Sequence, residues 1–435
     1  MHSSRGTALV MALIICVIVA ILSVVGAQLI TSSFKDMQHQ QHLSSEADNI
    51  ARAGLVDAIS WFRRQTVQPV AAGVPPTKPT WADGAFNPIK STDTTISATL
   101  DPSIGIVNEY SLSDTTNLYA RYEVKRQTAT AVSPYDPNAV HDITGQTIFN
   151  AQNGQGYVWY ITSKGIIYRK FSSSAAYNQL PNQTVGLSRV STVIRRISLQ
   201  IPSSPCGLIL MDAGSETNLK CVVNQNGVVT GGGNSADYAF GYAIITPTYN
   251  GSGTKTFPKG SNPPYDLNGN GKVTAGTTNP WTQVTSSPTI NYVLGISTAD
   301  IKLMSDYLVT DTSQLPADLP DMSLIYVDGN AVFSSARQLR GSGILLVNGN
   351  LTVNAGGNCY YSGLIYVTGN ITINDPALIS GCVIGCGTAT ISRTGASDLV
   401  EIDYDKSVLD QVRTQVCQYR EIKSAYQIFS GLTDY

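Results

Sequence analysis

From Gly6 to Phe34 the chain carries no charged residue, and Thr7–Ile30 reads TALVMALIICVIVAILSVVGAQLI. Those residues as a helix reach ~36 Å, enough to cross a hydrocarbon core of ~30 Å. The pattern then changes period without a break. Residues 31–65 contain no Pro and a single Gly, and apolar side chains fall at Leu43, Ala47, Ile50, Ala51, Leu55, Ala58, Ile59 and Phe62. Steps of three and four place them on one stripe of an amphipathic helix. A transmembrane helix over 7–30 and an amphipathic helix over 31–65 therefore join into one rod, ~85 Å long at 1.5 Å per residue.

Prolines at 69, 75, 76, 79 and 88 end the rod and make 66–93 a connector. Over 94–205, short alternating runs such as Tyr119–Val124 and Tyr157–Ile161 predict an antiparallel β head packed on the helix. Residues 206–320 are rich in Gly, Asn and Ser and read as loops, with a short helix starting at Ser297, where Asp300 completes a capping-box spacing.

A repeat follows in 321–400. Leu324–Phe333 is echoed by Ile344–Val353, by Leu364–Ile373 and more weakly by Cys382–Ile391, with glycines at 329, 349, 369 and 387. A period near 20 residues, with two strands broken by a Gly-Asn corner, predicts a parallel β-solenoid, and the corner asparagines are placed to stack as an amide ladder. Such a stack needs a cap. The apolar spacing of Val408, Leu409, Val412, Val416, Tyr419, Ile422 and Tyr426 predicts a capping helix within 401–435. The expected class is thus α+β: a long N-terminal helix, an antiparallel head and a C-terminal solenoid.

Composition narrows the setting. Charged residues are 13% of the chain, about half the ordinary globular share, with a net charge of −2, 38 Gly and 22 Tyr. That balance excludes a generally basic nucleic-acid binder and suits secreted β-proteins and surface filaments. Arg5 before the apolar run puts the short N-terminus in the cytoplasm and the rest outside. His2, His39, His42 and His141 all lie in the first third, which leaves little material for His-based metal or triad chemistry.

Several segments carry a family resemblance. Met1–Gly6 followed by Thr7 is similar to a type III prepilin leader: short, basic, ending in Gly, with the apolar helix after the cut. Glu46–Leu55 resembles the AxxxAxAGL stretch of PilX-type minor pilins of type IV pili. Trp159–Gly165 and Val190–Arg196 resemble the strand and SxG…RR pattern of the same proteins, so the likeness spans about the first 200 residues. It implies cleavage by a prepilin peptidase between Gly6 and Thr7, methylation of Thr7, and a single pass through the inner membrane. Assembly with other pilins into an extracellular pilus would follow through the N-terminal helix. One position departs from the family. Met11, fifth after the cut, stands where most pilins carry a Glu, whose carboxylate meets a neighbour's N-terminal ammonium in the apolar fibre core. The departure implies a low-copy or tip subunit, with a tip adhesin as a candidate partner, and is shared by the K-type pseudopilins of type II secretion. A membrane-anchored, glycan-binding solenoid outside any fibre is the alternative of a different class.

Candidate chemistry is sparse. Asp266, Asn268, Asn270 and Thr274 fall at positions 1, 3, 5 and 9 of a calcium-loop spacing, with Gly271 at 6 and Lys272 at 7. Thr277 closes the loop in place of a bidentate Glu, and Asp266 is its only carboxylate, so the segment is either a weak calcium site or an Asn/Gly turn. Calcium is the one cofactor in view. Cys16 lies in the membrane helix. Cys206 and Cys221 are placed to pair, closing a loop worth ~3 kcal/mol in the chain-entropy model. Cys359, Cys382, Cys386 and Cys417 leave three connectivities open, and buried thiols are the other reading. The charged residues of the repeats (Asp328, Arg337, Arg340, Asp375 and Arg393) sit at non-equivalent positions, so no enzyme is expected. Tyr326, Tyr360, Tyr361 and Tyr366 form either an aromatic strip for glycan or partner contact or part of the packing.

Overall fold

One helix, α1 (Ser4–Arg64), joins the two predicted N-terminal segments without a break. The computed structural model describes residues 4–65, 68–70, 104–113, 115–126, 138–145, 156–200, 206–212, 214–215, 218–219, 221–224, 228–230, 238–244, 281–283, 288–392 and 399–430. Along α1 the environment changes as the sequence pattern does. Side chains such as Leu13, Val17 and Leu22 are exposed, whereas Leu43, Ala47, Ala51, Leu55, Ala58 and Phe62 are buried. Arg63 and Arg64 in the last turn complement the helix dipole.

The buried stripe lies on an antiparallel sheet of β1 (Ile104–Ser113), β2 (Leu118–Arg126), β3 (Ala139–Asp142), β4 (Val158–Arg169) and β5 (Gln183–Arg196), with the short β3 running parallel to β2. β4 and β5 form a long hairpin from Val158↔Arg195 to Arg169↔Gln183, and this hairpin carries the helix.

After β5 the chain enters the solenoid. Residues 206–320, expected as loops and a short helix, contribute strands instead: β6 (Cys206–Asp212), the small hairpin β7 (Gly214–Ser215) and β8 (Asn218–Leu219), β9 (Cys221–Asn224), β10 (Val228–Thr230), β11 (Tyr238–Ile244) and β12 (Trp281–Gln283). The helices α2 (Ile290–Leu294) and α3 (Thr298–Met304) follow. The Ser297 hydroxyl accepts from the Asp300 amide at 3.2 Å, as the capping spacing predicted. The repeats come next, as β13 (Tyr307–Val309), β14 (Ser323–Val327), β15 (Ala331–Phe333), β16 (Arg340–Val347), β17 (Leu351–Val353), β18 (Cys359–Val367), β19 (Ile371–Asn374), β20 (Ala377–Gly385), β21 (Ala389–Ser392) and β22 (Val400–Tyr404).

Among the described residues the solenoid strands pair in parallel, apart from the β7–β8 hairpin, and the register follows the sequence period: Ser323↔Gly343↔Gly363↔Gly381. At the corners the Asn330, Asn350 and Asn370 side chains stack in register, but in place of the expected side-chain amide ladder each accepts from the next rung's backbone amide, that of Asn350, Asn370 and Thr388 at 2.9, 2.8 and 2.9 Å. A second glycine column was not foreseen. Gly343, Gly363 and Gly381 have φ of +120°, +148° and +134°, and a Cβ on Gly363 would lie 2.0 Å from the Gly343 carbonyl oxygen. At this column β20 divides between partners, Ala377–Gly381 pairing with β22 and Val383–Gly385 with β6. The earlier segment therefore continues the stack beyond the later one: β6 follows β20, β9 follows β21 and β10 follows β22.

The expected C-terminal capping helix is corrected in two respects. α4 spans only Lys406–Gln415, and the chain then returns to the head as β23 (Tyr419–Glu421) and β24 (Gln427–Ser430), both antiparallel to β5. Tyr419, Ile422 and Tyr426 keep a helical spacing, but the open edge of β5 offers backbone partners and the Tyr419 pocket offers burial, so tertiary pairing overrides the local period. α4 lies on the flank formed by β18 and β20, with Leu409, Val412 and Val416 packed on the outward side of the sheet. At the β13 end the interior is closed by Leu315 and Leu319, and Arg337 holds this segment through the Leu315 carbonyl at 2.6 Å.

Candidate assembly surface

The exposed part of α1 is its apolar part. Met11 is 67% exposed, and α1 is long and apolar enough to cross a membrane. Two hydroxyls in this part are satisfied within the helix: Ser23 donates to the Val19 carbonyl at 2.8 Å and Thr31 to that of Ala27 at 2.7 Å. Gly6 and Thr7 both fall inside α1.

Where α1 meets the head, the small residues of both resembling segments face one another. Gly165 brings the β4 backbone so close to α1 that a Cβ there would lie 2.1 Å from the Ala47 carbonyl oxygen, and one on Gly54 would lie 2.3 Å from the Ser163 hydroxyl. The AxxxAxAGL and SxG patterns are thus the two sides of one helix–sheet contact, in which small side chains allow close approach. The contact continues upward: the Phe62 ring lies 5.1 Å from Trp159 and 5.2 Å from Tyr419, and the Tyr419 hydroxyl donates to the Gly156 carbonyl at 2.5 Å while accepting from Val70 at 2.8 Å.

The two arginines at the end of β5 divide their roles, Arg195 serving the attachment of the solenoid and Arg196 tying β5 to the segment that follows α1. Arg195, 1% exposed at its side chain, pairs with Asp300 at 2.6 Å, and Arg196 donates to Gln68 at 3.1 Å. Burial draws the Arg195 pKa down, partly opposed by Asp300. Arg420 pairs with Asp306 at 2.6 Å, and an apolar cluster shared by Val193, Ile197, Leu324, Tyr326, Ile344, Tyr366 and Val412 fills the junction. On the other side of the head Arg121 is buried between Glu109 at 3.0 Å and Glu123 at 2.7 Å, and Lys170 reaches Glu109 at 2.6 Å. Burial pushes the Glu109 carboxyl upward, but hydrogen bonds from Lys170, Tyr168 and Arg121 outweigh it and hold the group below its ordinary range. For Arg121, the effect of burial is outweighed by Glu123 and Glu109, which raise its pKa.

The remaining candidates fare differently. Asp266, Asn268, Asn270, Lys272 and Thr274 lie outside the described residues, and among those described no cluster of His, Cys, Asp and Glu is arranged to hold a metal. The expected Cys206–Cys221 disulfide is not formed: Cys206 begins β6 and Cys221 begins β9, in different sheets. Cys359, Cys382, Cys386 and Cys417 are also thiols, and Cys16 is an exposed thiol on α1. Burial pushes the Cys359, Cys382 and Cys417 thiols up to about 12, which keeps them protonated and unreactive. Tyr326, Tyr361 and Tyr366 are buried, so packing and not an aromatic strip is their role, while Tyr360 is 54% exposed. The Arg195–Asp300 and Arg121–Glu109 pairs had no sequence signal beyond the arginines themselves, because their partners are 105 and 12 residues away.

No family model and no curated protein matches the chain. Among solved structures, the crystal structure of competence-associated pilin ComZ from Thermus thermophilus aligns over 89% of this chain and 97% of that one, at 11% identity and a TM-score of 0.18. A likeness that small leaves the functional reading to the geometry of this chain.

Proposed function

We propose that the protein is a PilX-like minor pilin, anchored in the inner membrane by α1 and then built into a type IV pilus at its tip or initiation complex. The observation that carries this reading is the division of α1. Its N-terminal part is apolar and uncovered, while its last part is sunk into an antiparallel sheet. A helix of that kind satisfies its exposed half only in lipid or among other such helices. The head and solenoid do no chemistry. They present a recognition surface to a tip adhesin or another partner.

Mass spectrometry of the mature N-terminus tests the reading. A cut between Gly6 and Thr7 by prepilin peptidase, with methylated Thr7, is expected. Retention of Met1 would favour a plain anchor, and a cut after residue 20 a secreted protein.

Met11 limits where the subunit fits. Without a carboxylate it cannot pair with a neighbour's ammonium in the apolar core, where an uncompensated charge costs several kcal/mol. Met11→Glu is expected to raise incorporation away from the filament end, measured by quantitative labelling of sheared pili. An unchanged distribution would show that the missing charge does not restrict it.

A further inference from the structure

The turn joining β4 to β5 is anchored to the head by Tyr177, which packs with Ile166, Tyr168 and Leu187, while its outer side chains are exposed and serve neither that packing nor the solenoid junction. Asn182, 3% exposed, organises it: its side-chain oxygen accepts from the Phe171 and Ser172 amides at 2.8 and 2.9 Å, and its amide donates to the carbonyls of Ser172, Ala175 and Ala176 at 3.0, 3.0 and 3.1 Å. This scaffold presents two apolar side chains to the outside, Phe171 at 54% and Leu180 at 84% exposure. An ordered turn displaying two uncovered apolar groups loses little freedom on binding.

Its level along α1 identifies what it meets. The hairpin descends the helix toward its N-terminus: Trp159 lies against Phe62, Gly165 against Ala47, and Ile167 and Gly186 against Leu43. Phe171 lies four residues beyond Ile167. At ~3.3 Å per strand residue that is up to ~13 Å, equal to about nine helix residues at 1.5 Å each. The turn thus reaches toward the level of Phe34 and Lys35, where the uncharged run of α1 ends. Charge points the same way. From Ile143 to Met211 there is no acidic residue, and of the cations beside the turn Arg169 is exposed, while Lys170 is held by Glu109 and Lys164 by the Tyr177 hydroxyl. Two exposed apolar groups beside an exposed arginine suit the boundary between acyl chains and anionic phospholipid headgroups.

We propose that the β4–β5 turn is a second bilayer contact, in which Phe171 and Leu180 enter the interfacial region of the membrane that α1 spans. It rests on the membrane reading of α1. With the helix alone, the head would follow whatever tilt α1 takes in the bilayer. A second contact fixes its tilt over the membrane before assembly and is given up on extraction.

The test uses the full chain in vesicles of phosphatidylethanolamine and phosphatidylglycerol containing nitroxide-labelled lipid. With Cys16→Ala removing the exposed thiol, a bimane label is placed in separate samples at Ser173→Cys beside the turn, at Ser33→Cys on α1 and at Tyr360→Cys on the solenoid. Quenching at 173 comparable to that at 33, absent at 360 and lost when Phe171→Ser and Leu180→Ser are added, is expected. Quenching at 33 with 173 behaving like 360 would overturn the contact and leave α1 in the membrane. No quenching at 33 would overturn the membrane reading and the proposal with it. Quenching at 173 that survives the double substitution would remove Phe171 and Leu180 as its cause. Protection of 173 only in assembled filaments would assign the turn to a neighbouring subunit and overturn the lipid contact. Phe171 and Leu180 are exposed, so unchanged near-ultraviolet dichroism is expected in the double variant.

Discussion

The buried charges of the head form a set whose members depend on one another. Arg121 answers Glu109 and Glu123, and Lys170 shares Glu109. Arg121→Met leaves two carboxylates short of a partner in a buried site, and a loss of about 3–5 kcal/mol is expected, read from chemical denaturation of the detergent-solubilised protein. The same set gives a pH dependence. Because the Glu109 pKa is held below its unfolded value, its contribution is fully present above the ordinary carboxylate range near ~4.3 and is lost as pH falls through the lowered folded value. The melting temperature of the wild type should therefore fall more steeply than that of Glu109→Gln as pH drops below that range. Parallel curves would mean that the pair does not shift the group.

At the scale of elements, the molecule is decided by close approaches. α1 rests on β4 through Gly165, so Gly165→Val should lift the helix from the hairpin and lower the melting temperature of the head, while the solenoid keeps its parallel β signature by infrared spectroscopy. Equal loss of both would show that head and solenoid unfold as one unit. The rod, the head and the solenoid period were legible because each rests on a local pattern: stripes along 43–62, alternation over 119–124 and 157–161, and glycines at 329, 349, 369 and 387. What was not legible depends on distant partners. β6, β9 and β10 lack Gly-Asn corners, and they become rungs only because β20, β21 and β22, more than 150 residues later, present edges to them. Among the described residues, the segment from Tyr419 to Ser430 has strand partners only in β5. Among site residues, the small-residue segments were recognised as a pattern, but their meaning as one contact required the fold. The Cys206–Cys221 pair failed because spacing says nothing about which sheet each thiol enters.

For the whole molecule, the return of the chain to β5 is what makes the solenoid part of the head. It leaves after β5 and comes back as β23 and β24, and its outward face is buried against Val193, Ile197, α2, α3 and α4. A solenoid held at both ends of its chain and across an apolar junction is suited to carry a load applied at its surface into α1. This arrangement adds bulk that a shaft must accommodate at every repeat and that a filament end need not. The central claim is that this bulk rides on a pilin helix within a pilus, and immunogold labelling of sheared filaments with antibody to the solenoid tests it most directly. Gold at filament ends, in one or a few copies, is expected. Filaments without gold, with all of the protein retained in the membrane, would contradict the claim, and gold along the shafts would contradict its placement at the tip.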